Sequence, residues 1–235
     1  MTLNDLVRPL PGLRHILMIR HRIMFRNSEA YWERRYARGG TSGVGSYGDL
    51  AKGKAAFLND FVRMHGIRSV VEFGCGDGNQ LSLADYPNYV GLDVSRTAVQ
   101  LCVRRFADDP TKSFYLYDSD CFADNARLFT ADLALSLDVV QHLTDDKAFD
   151  AHMMNLFAAS THFIVVYGSN TTNEELSDVA PHVRNRRFSR WVDEHCPAWS
   201  LVQVTTGPRP EPNHKDFFVY ERTAASEFEL AEPAT

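Results

Sequence analysis

Residues 70–81 read VVEFGCGDGNQL: two β-branched valines, the acid Glu72, and then Gly74, Gly76 and Gly78 at alternate positions. β-branched residues favour strands. Glycines clustered behind a strand let the chain adopt positive φ and let a ligand approach its backbone. The stretch reads as a strand that runs into a ligand-binding loop.

The spacing is G-x-G-x-G, not the G-x-G-x-x-G of a pyrophosphate loop that opens a long helix, and no G-x-x-x-x-G-K-[ST] occurs. The next strand begins at Asn88, ten residues after Gly78, so only a short helix fits over 79–85. That strand ends in YVGLDVS, which places Asp93 at the carboxyl edge beside the glycine loop, where open α/β sheets bind ligands. A carboxylate there can accept both hydroxyls of a ribose. Glycine loop and ribose carboxylate together imply a nucleoside.

Around this centre, strand candidates recur at 68–73, 88–92, 113–117, 131–137 and 161–167. Helical patterns lie among them. Residues 49–65 carry Phe57, Leu58, Phe61 and Val62 on one stripe, Ser95 caps a helix with Ala98, Val99, Cys102, Val103 and Phe106, and Thr144 opens one with Phe149, Met153, Leu156 and Phe157. Alternating strands and helices mean a parallel sheet covered on both faces. The last two strands, WSLVQVTT and DFFVYERT, have only a loop between them and suit an antiparallel hairpin. The expectation is an α/β fold: a seven-stranded, mostly parallel Rossmann-like sheet with a C-terminal antiparallel β-hairpin and an N-terminal helical extension. Residues 1–48 form the extension, 49–224 the domain and 225–235 a frayed acidic tail. Within the extension, Ser28 caps a helix over 28–37, followed by the glycine-rich GGTSGVGSYG.

Composition bounds the function. The chain has 235 residues, a net charge of −5 and 44% hydrophobic content, which suits a cytoplasmic globular protein and argues against bulk nucleic-acid binding. Four scattered cysteines, with no C-x-x-C pair, make neither a zinc framework nor a disulfide scaffold. No stretch reaches the ~18 apolar residues that span a bilayer. LRHILMIRHRIMF, interrupted by Arg20, His21 and Arg22, reads as an amphipathic helix, with Leu13, Ile16, Leu17, Ile23 and Met24 near one face. It either packs on protein or makes peripheral contact with the inner membrane face.

VVEFGCGDG, YVGLDVS and ADLALSLDVVQHL together resemble the motifs of the class I S-adenosylmethionine-dependent methyltransferases, over roughly Arg68 to Tyr167. The resemblance implies S-adenosylmethionine as methyl donor and S-adenosylhomocysteine as product. It places Gly74, Cys75, Gly76 and Gly78 beside the methionine and ribose portions, with Glu72 supporting the loop and Asp93 on the ribose. An acid after strand three, Asp118 or Asp120, would meet the adenine amino group. His142 becomes the candidate general base, with Asp138 orienting a histidine or the acceptor; packing or turn capping is the plainer role for His142. Catechol-type relatives hold a metal after strands four and five, but here Ser169 stands between Asp138 and Asn170 where an acid is needed, so no metal is expected.

The segment HVRNRRFSRW, 182–191, places His182, Arg184 and Arg186 on the acceptor side, where guanidinium groups suit phosphate or carboxylate; the alternative is a solvated helix face. Tyr47 and Asn170 join them as candidate acceptor contacts, and Tyr31, Trp32 and Tyr47 either cover the site or pack. YWERRYARGGTSGVGSYG together with HVRNRRF is similar to bacterial methyltransferases of polysaccharide and glycolipid pathways, which implies O-methylation of a small or glycan-like acceptor. The competing readings are an NAD-dependent oxidoreductase of similar layout and a non-catalytic scaffold that keeps the nucleoside pocket.

Overall fold

A computed structural model describes residues 27–175, 180, 182–208 and 215–223. The amphipathic pattern at 13–24 and the acidic tail at 225–235 lie outside the described residues. Among the described residues no helix is long and apolar enough to cross a membrane.

Seven strands form one sheet in the order β3-β2-β1-β4-β5-β7-β6. They are β1 (Ser69–Phe73), β2 (Asn88–Asp93), β3 (Lys112–Leu116), β4 (Ala131–Leu137), β5 (Ser160–Gly168), β6 (Trp199–Thr206) and β7 (Asp216–Arg222). The first five run parallel, and β7 inserts antiparallel between β5 and β6. The helices are α1 (Ser28–Ala37), α2 (Gly48–Met64), α3 (Arg96–Arg105), α4 (Asp146–Ala158) and α5 (Phe188–His195).

Side chains alternate across the sheet, so its central strands feed two cores. Val71, Phe73 and Ile164 face Met153 and Leu156 of α4 and Phe188 and Val192 of α5. Val70, Leu133 and Val165 face Leu58, Phe61 and Val62 of α2. Each fully buried leucine or valine contributes about 1.5–3 kcal/mol, so the apolar residues of β1 and β4 anchor both cores.

Local details differ from the sequence pattern. Asn27, not Ser28, caps α1, accepting from the Ala30 N–H at 2.8 Å, and Asp145, not Thr144, caps α4. In both cases the side-chain carbonyl or carboxylate one position away reaches the third N–H of the helix. The expected helix over 79–85 shrinks to a single 3-10 turn, Leu81–Leu83. No α-helix separates β3 from β4, so the βα alternation is incomplete there.

Candidate functional site

The carboxyl ends of β3, β2, β1 and β4 stand in a row, each about 4.8 Å from the next. They carry Asp118, Asp93, Gly74 and Asp138 in that order. A cavity of 330 Å³ runs along this row and is lined by all four residues.

The glycine loop forms its floor. Gly74 and Gly76 have φ of +95° and +60°, values that side chains rarely tolerate. Their neighbours also exclude a Cβ: at Gly74 it would meet Val139 at 2.4 Å, and at Gly76 it would meet the Ser42 hydroxyl at 2.3 Å. The loop therefore needs glycine both for its turn and for the segments packed onto it. Asp93 fixes the loop to β2, accepting from the Gly76 N–H at 2.8 Å and the Ser95 N–H at 2.8 Å. Burial lifts its pKa to about 6 against those two hydrogen bonds. Glu72, buried beneath, is lifted by burial to about 7, although the Tyr89 hydroxyl and Lys54 oppose the shift.

The N-terminal segment is the roof. Asn27, Ser28, Glu29, Trp32 and Tyr36 of α1 and its cap, with Ser42 and Ser46, line the cavity. Glu33 holds α1 to the start of α3, accepting from the Ser95 and Thr97 hydroxyls at 2.6 Å each and from the Thr97 N–H at 3.1 Å. Asp77, in the glycine loop itself, accepts from the Ser42 N–H and the Tyr47 hydroxyl, both at 2.9 Å.

Asp138 lies in an environment the sequence does not announce. It is a non-glycine residue at φ +62°, an unfavourable conformation that clusters at functional sites. One carboxylate oxygen accepts from Lys54 at 2.7 Å and the other from Lys215. Burial alone would raise its pKa, but the two lysines outweigh burial and hold it well below the usual carboxylate range. It stays ionised and is no proton acceptor at neutral pH, nor does it contact His142 by a hydrogen bond. Lys54 is 1% exposed. Its signal was present in the sequence: it falls on the buried stripe of α2 with Ala51, Ala55 and Leu58, the one charged position there.

His142 lines the cavity beside Trp32, whose ring meets it edge-on at 5.1 Å. Its Nδ1 lies 3.2 Å from the His182 carbonyl oxygen. A carbonyl only accepts, so Nδ1 carries the proton and Nε2 is the unprotonated nitrogen. Burial lowers the pKa to about 4, so the ring is neutral at physiological pH. His182 itself stacks between His142 and Tyr31, at 5.5 and 4.5 Å.

Among the other expected residues, Glu72, Cys75, Asp118 and Asp120 line the cavity. Asp118 accepts from the Asp120 N–H at 2.9 Å, and Asp120 pairs with Lys147 at 3.0 Å. Cys75 is buried, and a hydrogen bond with Cys102 raises its pKa, so it is no thiolate. Tyr47, Asn170, His182, Arg184 and Arg186 do not line the cavity. Asn170 caps α5 through Ser189. Both arginines turn to the loop before α4: each pairs with Asp146, at 3.0 and 2.9 Å, and they donate to the Leu143 and Thr144 carbonyls. Asp138 held by lysines and Asn170 on a helix cap leave the catechol-type metal arrangement unformed, and no cluster of metal-ligating side chains occurs among the described residues.

Residues 71–165 match the family described as "Methyltransferase domain". The chain is 31% identical over 121 residues to a small RNA 2'-O-methyltransferase of Arabidopsis thaliana, covering 46% of this chain and 13% of that one. It is 30% identical over 142 residues to probable thiol methyltransferase 2 of Arabidopsis thaliana, covering 59% and 58%. The chain thus spans less than two thirds of the length of either relative. The N-methyltransferase NodS from Bradyrhizobium japonicum WM9, solved with S-adenosyl-L-homocysteine, shares the fold with a TM-score of 0.67 at 14% identity, covering 85% of this chain and 100% of that one.

The fold is the Rossmann-like methyltransferase fold, which in NodS holds S-adenosyl-L-homocysteine, the product of the methyl donor S-adenosylmethionine. The site suits that donor. The row of strand ends, about 14 Å long by strand spacing, carries an acid beyond β3, a carboxylate at β2 and, at β4, a carboxylate held by two lysines. Gln80 Oε1, buried in the cavity lining, has no hydrogen-bond donor among the described residues.

Proposed function

We propose that the protein is an S-adenosylmethionine-dependent O-methyltransferase acting on a small or glycan-like hydroxylic acceptor, with His142 as its general base. The observation that carries this reading is the tautomer of His142: the His182 carbonyl holds the proton on Nδ1, so Nε2 is available as a base on the cavity wall. The donor supplies an activated methyl on a sulfonium. A neutral hydroxyl is a poor nucleophile and benefits from losing its proton as the new C–O bond forms. Nε2 accepts that proton, and the low pKa of His142 keeps the ring unprotonated beforehand. The roof formed by α1 excludes water, and the ordered cavity aligns the reactants, which is the larger part of catalysis in such a displacement.

Trp32 lines the cavity beside the base, and an apolar aromatic wall there suits the C–H side of a sugar ring. The rim supports an acceptor that is not a nucleic acid: Glu29, Asp118, Asp120 and Asp145 are exposed there against Lys147. Such a rim repels a polyanion. Arg184 and Arg186, satisfied by Asp146, supply no anion contact in the cavity, so the acceptor need carry no phosphate. A cytoplasmic location fits the free cysteines.

The test is transfer of labelled methyl from S-adenosylmethionine into fractionated cell extract. Label is expected in a small-molecule or glycan fraction and to survive ribonuclease. His142→Gln should lower turnover by about 10²–10⁴, the range of general-base catalysis, with S-adenosylhomocysteine affinity kept. Full turnover in the variant refutes the base; label in RNA refutes the acceptor class.

A further inference from the structure

The basic segment before α5 holds two side chains that acceptor chemistry leaves unassigned. The Arg186 side chain is 16% exposed, deep burial for a guanidinium, yet it does not line the cavity. What it meets is backbone. After β4 the chain makes the 3-10 turn Val140–His142 and runs to Asp145, the cap of α4, without further regular structure. Four successive carbonyls of this stretch are each taken by a donor from elsewhere in the chain. The Arg184 N–H reaches the Gln141 oxygen at 2.8 Å, and the Ser28 hydroxyl of α1 reaches that of His142. Arg186 donates to Leu143 at 2.6 Å, and both arginines donate to Thr144, at 3.0 and 3.3 Å. Asp146 ties the two guanidinium groups together, and Arg186 lies over the Phe149 ring at 4.7 Å. Segment 182–186 is thereby docked on the turn that carries His142.

We propose that Arg184 and Arg186 are positioning residues for His142: by docking segment 182–186 on the turn after β4, they hold the His182 carbonyl on Nδ1 and so keep Nε2 unprotonated. This rests on the reading of His142 as the base. The carbonyl stands 3.2 Å from Nδ1, and it precedes the two arginines by only two and four residues, so any shift of the docked segment moves it. The charged groups that act on the ring do not fix its proton, because Lys215 and Asp138 are bonded to each other. Glu29 on α1 and Asp145 and Lys147 at the start of α4 are exposed on the rim of the cavity. A planar guanidinium suits the clamp better than an ammonium, since its five N–H groups reach two carbonyls and a carboxylate at once in fixed directions.

The experiment is nuclear magnetic resonance of the full chain with isotope-labelled histidines at neutral pH, where the His142 ring is unprotonated. Its signals are those lost in His142→Gln. In the intact protein they should show one tautomer, with the proton on Nδ1. Arg186→Met should turn this into a mixture of tautomers, and the Nδ1 proton should exchange with water at least about tenfold faster, on the order of one lost hydrogen bond. Arg184→Met, which removes the more exposed guanidinium, should act in the same direction. His152 of α4, whose Nε2 lies 3.0 Å from the buried Ser136 hydroxyl, is the internal control and should keep its signals. If His152 moves in Arg186→Met, the milder Arg184→Met decides. Movement of His152 in both variants shows that the arginines hold α4 in general and overturns a role directed at His142. A single Nδ1 tautomer with unchanged exchange in both variants overturns it too. A proton on Nε2 in the intact protein overturns it together with the base. Full turnover in His142→Gln removes the base alone, so the two readings fail separately.

Discussion

Asp93→Asn tests the donor site most directly. Asp93 is 6% exposed and already accepts from two backbone N–H groups, at 2.8 Å each. The asparagine keeps one carbonyl acceptor and turns an NH₂ toward the other N–H, which costs about 1–3 kcal/mol and lowers Tm by several degrees. It also loses the charge from a two-point contact with the ribose hydroxyls. At about 1.5 kcal/mol per charge-assisted bond, affinity for S-adenosylhomocysteine should fall about 150-fold. The pH profile adds a second signature. With a pKa of about 6, only about a tenth of Asp93 is ionised at pH 5, so the affinity of the intact protein should weaken about tenfold between pH 7 and 5. Asp93→Asn should show no such weakening. Glu72, lifted to about 7, titrates nearby, so Glu72→Gln is the control and must retain the drop. Stability runs the other way. The folded protein holds the Asp93 proton more tightly than the unfolded chain, whose pKa is near 3.8, so this group makes ligand-free stability fall as pH rises from about 4 to about 6. Calorimetry across pH 5–7 and thermal melts across pH 4–7 measure the two. Unchanged affinity in Asp93→Asn, or the same pH profile with and without the carboxylate, refutes the ribose placement.

Gly76→Ala should displace the roof, because the new Cβ would sit 2.3 Å from the Ser42 hydroxyl at a φ of +60°; donor affinity should fall at least about tenfold. Limited proteolysis within 38–48 should speed up, and an unchanged cleavage rate would show that this segment does not rest on the loop. Glu33→Ala removes three hydrogen bonds between α1 and α3 and should cost about 1–3 kcal/mol. Hydrogen exchange should rise in α1 and leave the central strands unchanged; uniform loss of protection would mean that α1 is part of the global folding unit.

Most of the fold was legible because its signals are local. β-branched runs, helical stripes and the final pair of strands with only a loop between them each declare themselves within ten or so residues, and they specify a parallel sheet ended by a hairpin. The glycine spacing and Asp93 are local too, which is why the loop at the end of β1 and the acid beside it could be read from residues 70–93. The caps at Asn27 and Asp145 were misplaced by one residue because Asn27–Ser28 and Thr144–Asp145 each offer two capping side chains, and only backbone geometry selects between them. The acceptor half was harder. Arg184 and Arg186 look like anion ligands in one dimension, yet Asp146, far away in sequence, claims both guanidinium groups.

By itself the sequence determined the sheet, the position of the glycine loop and the acid at the end of β2, since each depends on residues near one another along the chain. Only the tertiary structure decided the charge state of Asp138 and the tautomer of His142. Lys54 from α2 and Lys215 from before β7 converge on one carboxylate, and a carbonyl forty residues on sets the imidazole proton. Electrostatics and hydrogen bonding act through space, and in a buried site the partner that arrives from elsewhere in the chain sets what a side chain can do.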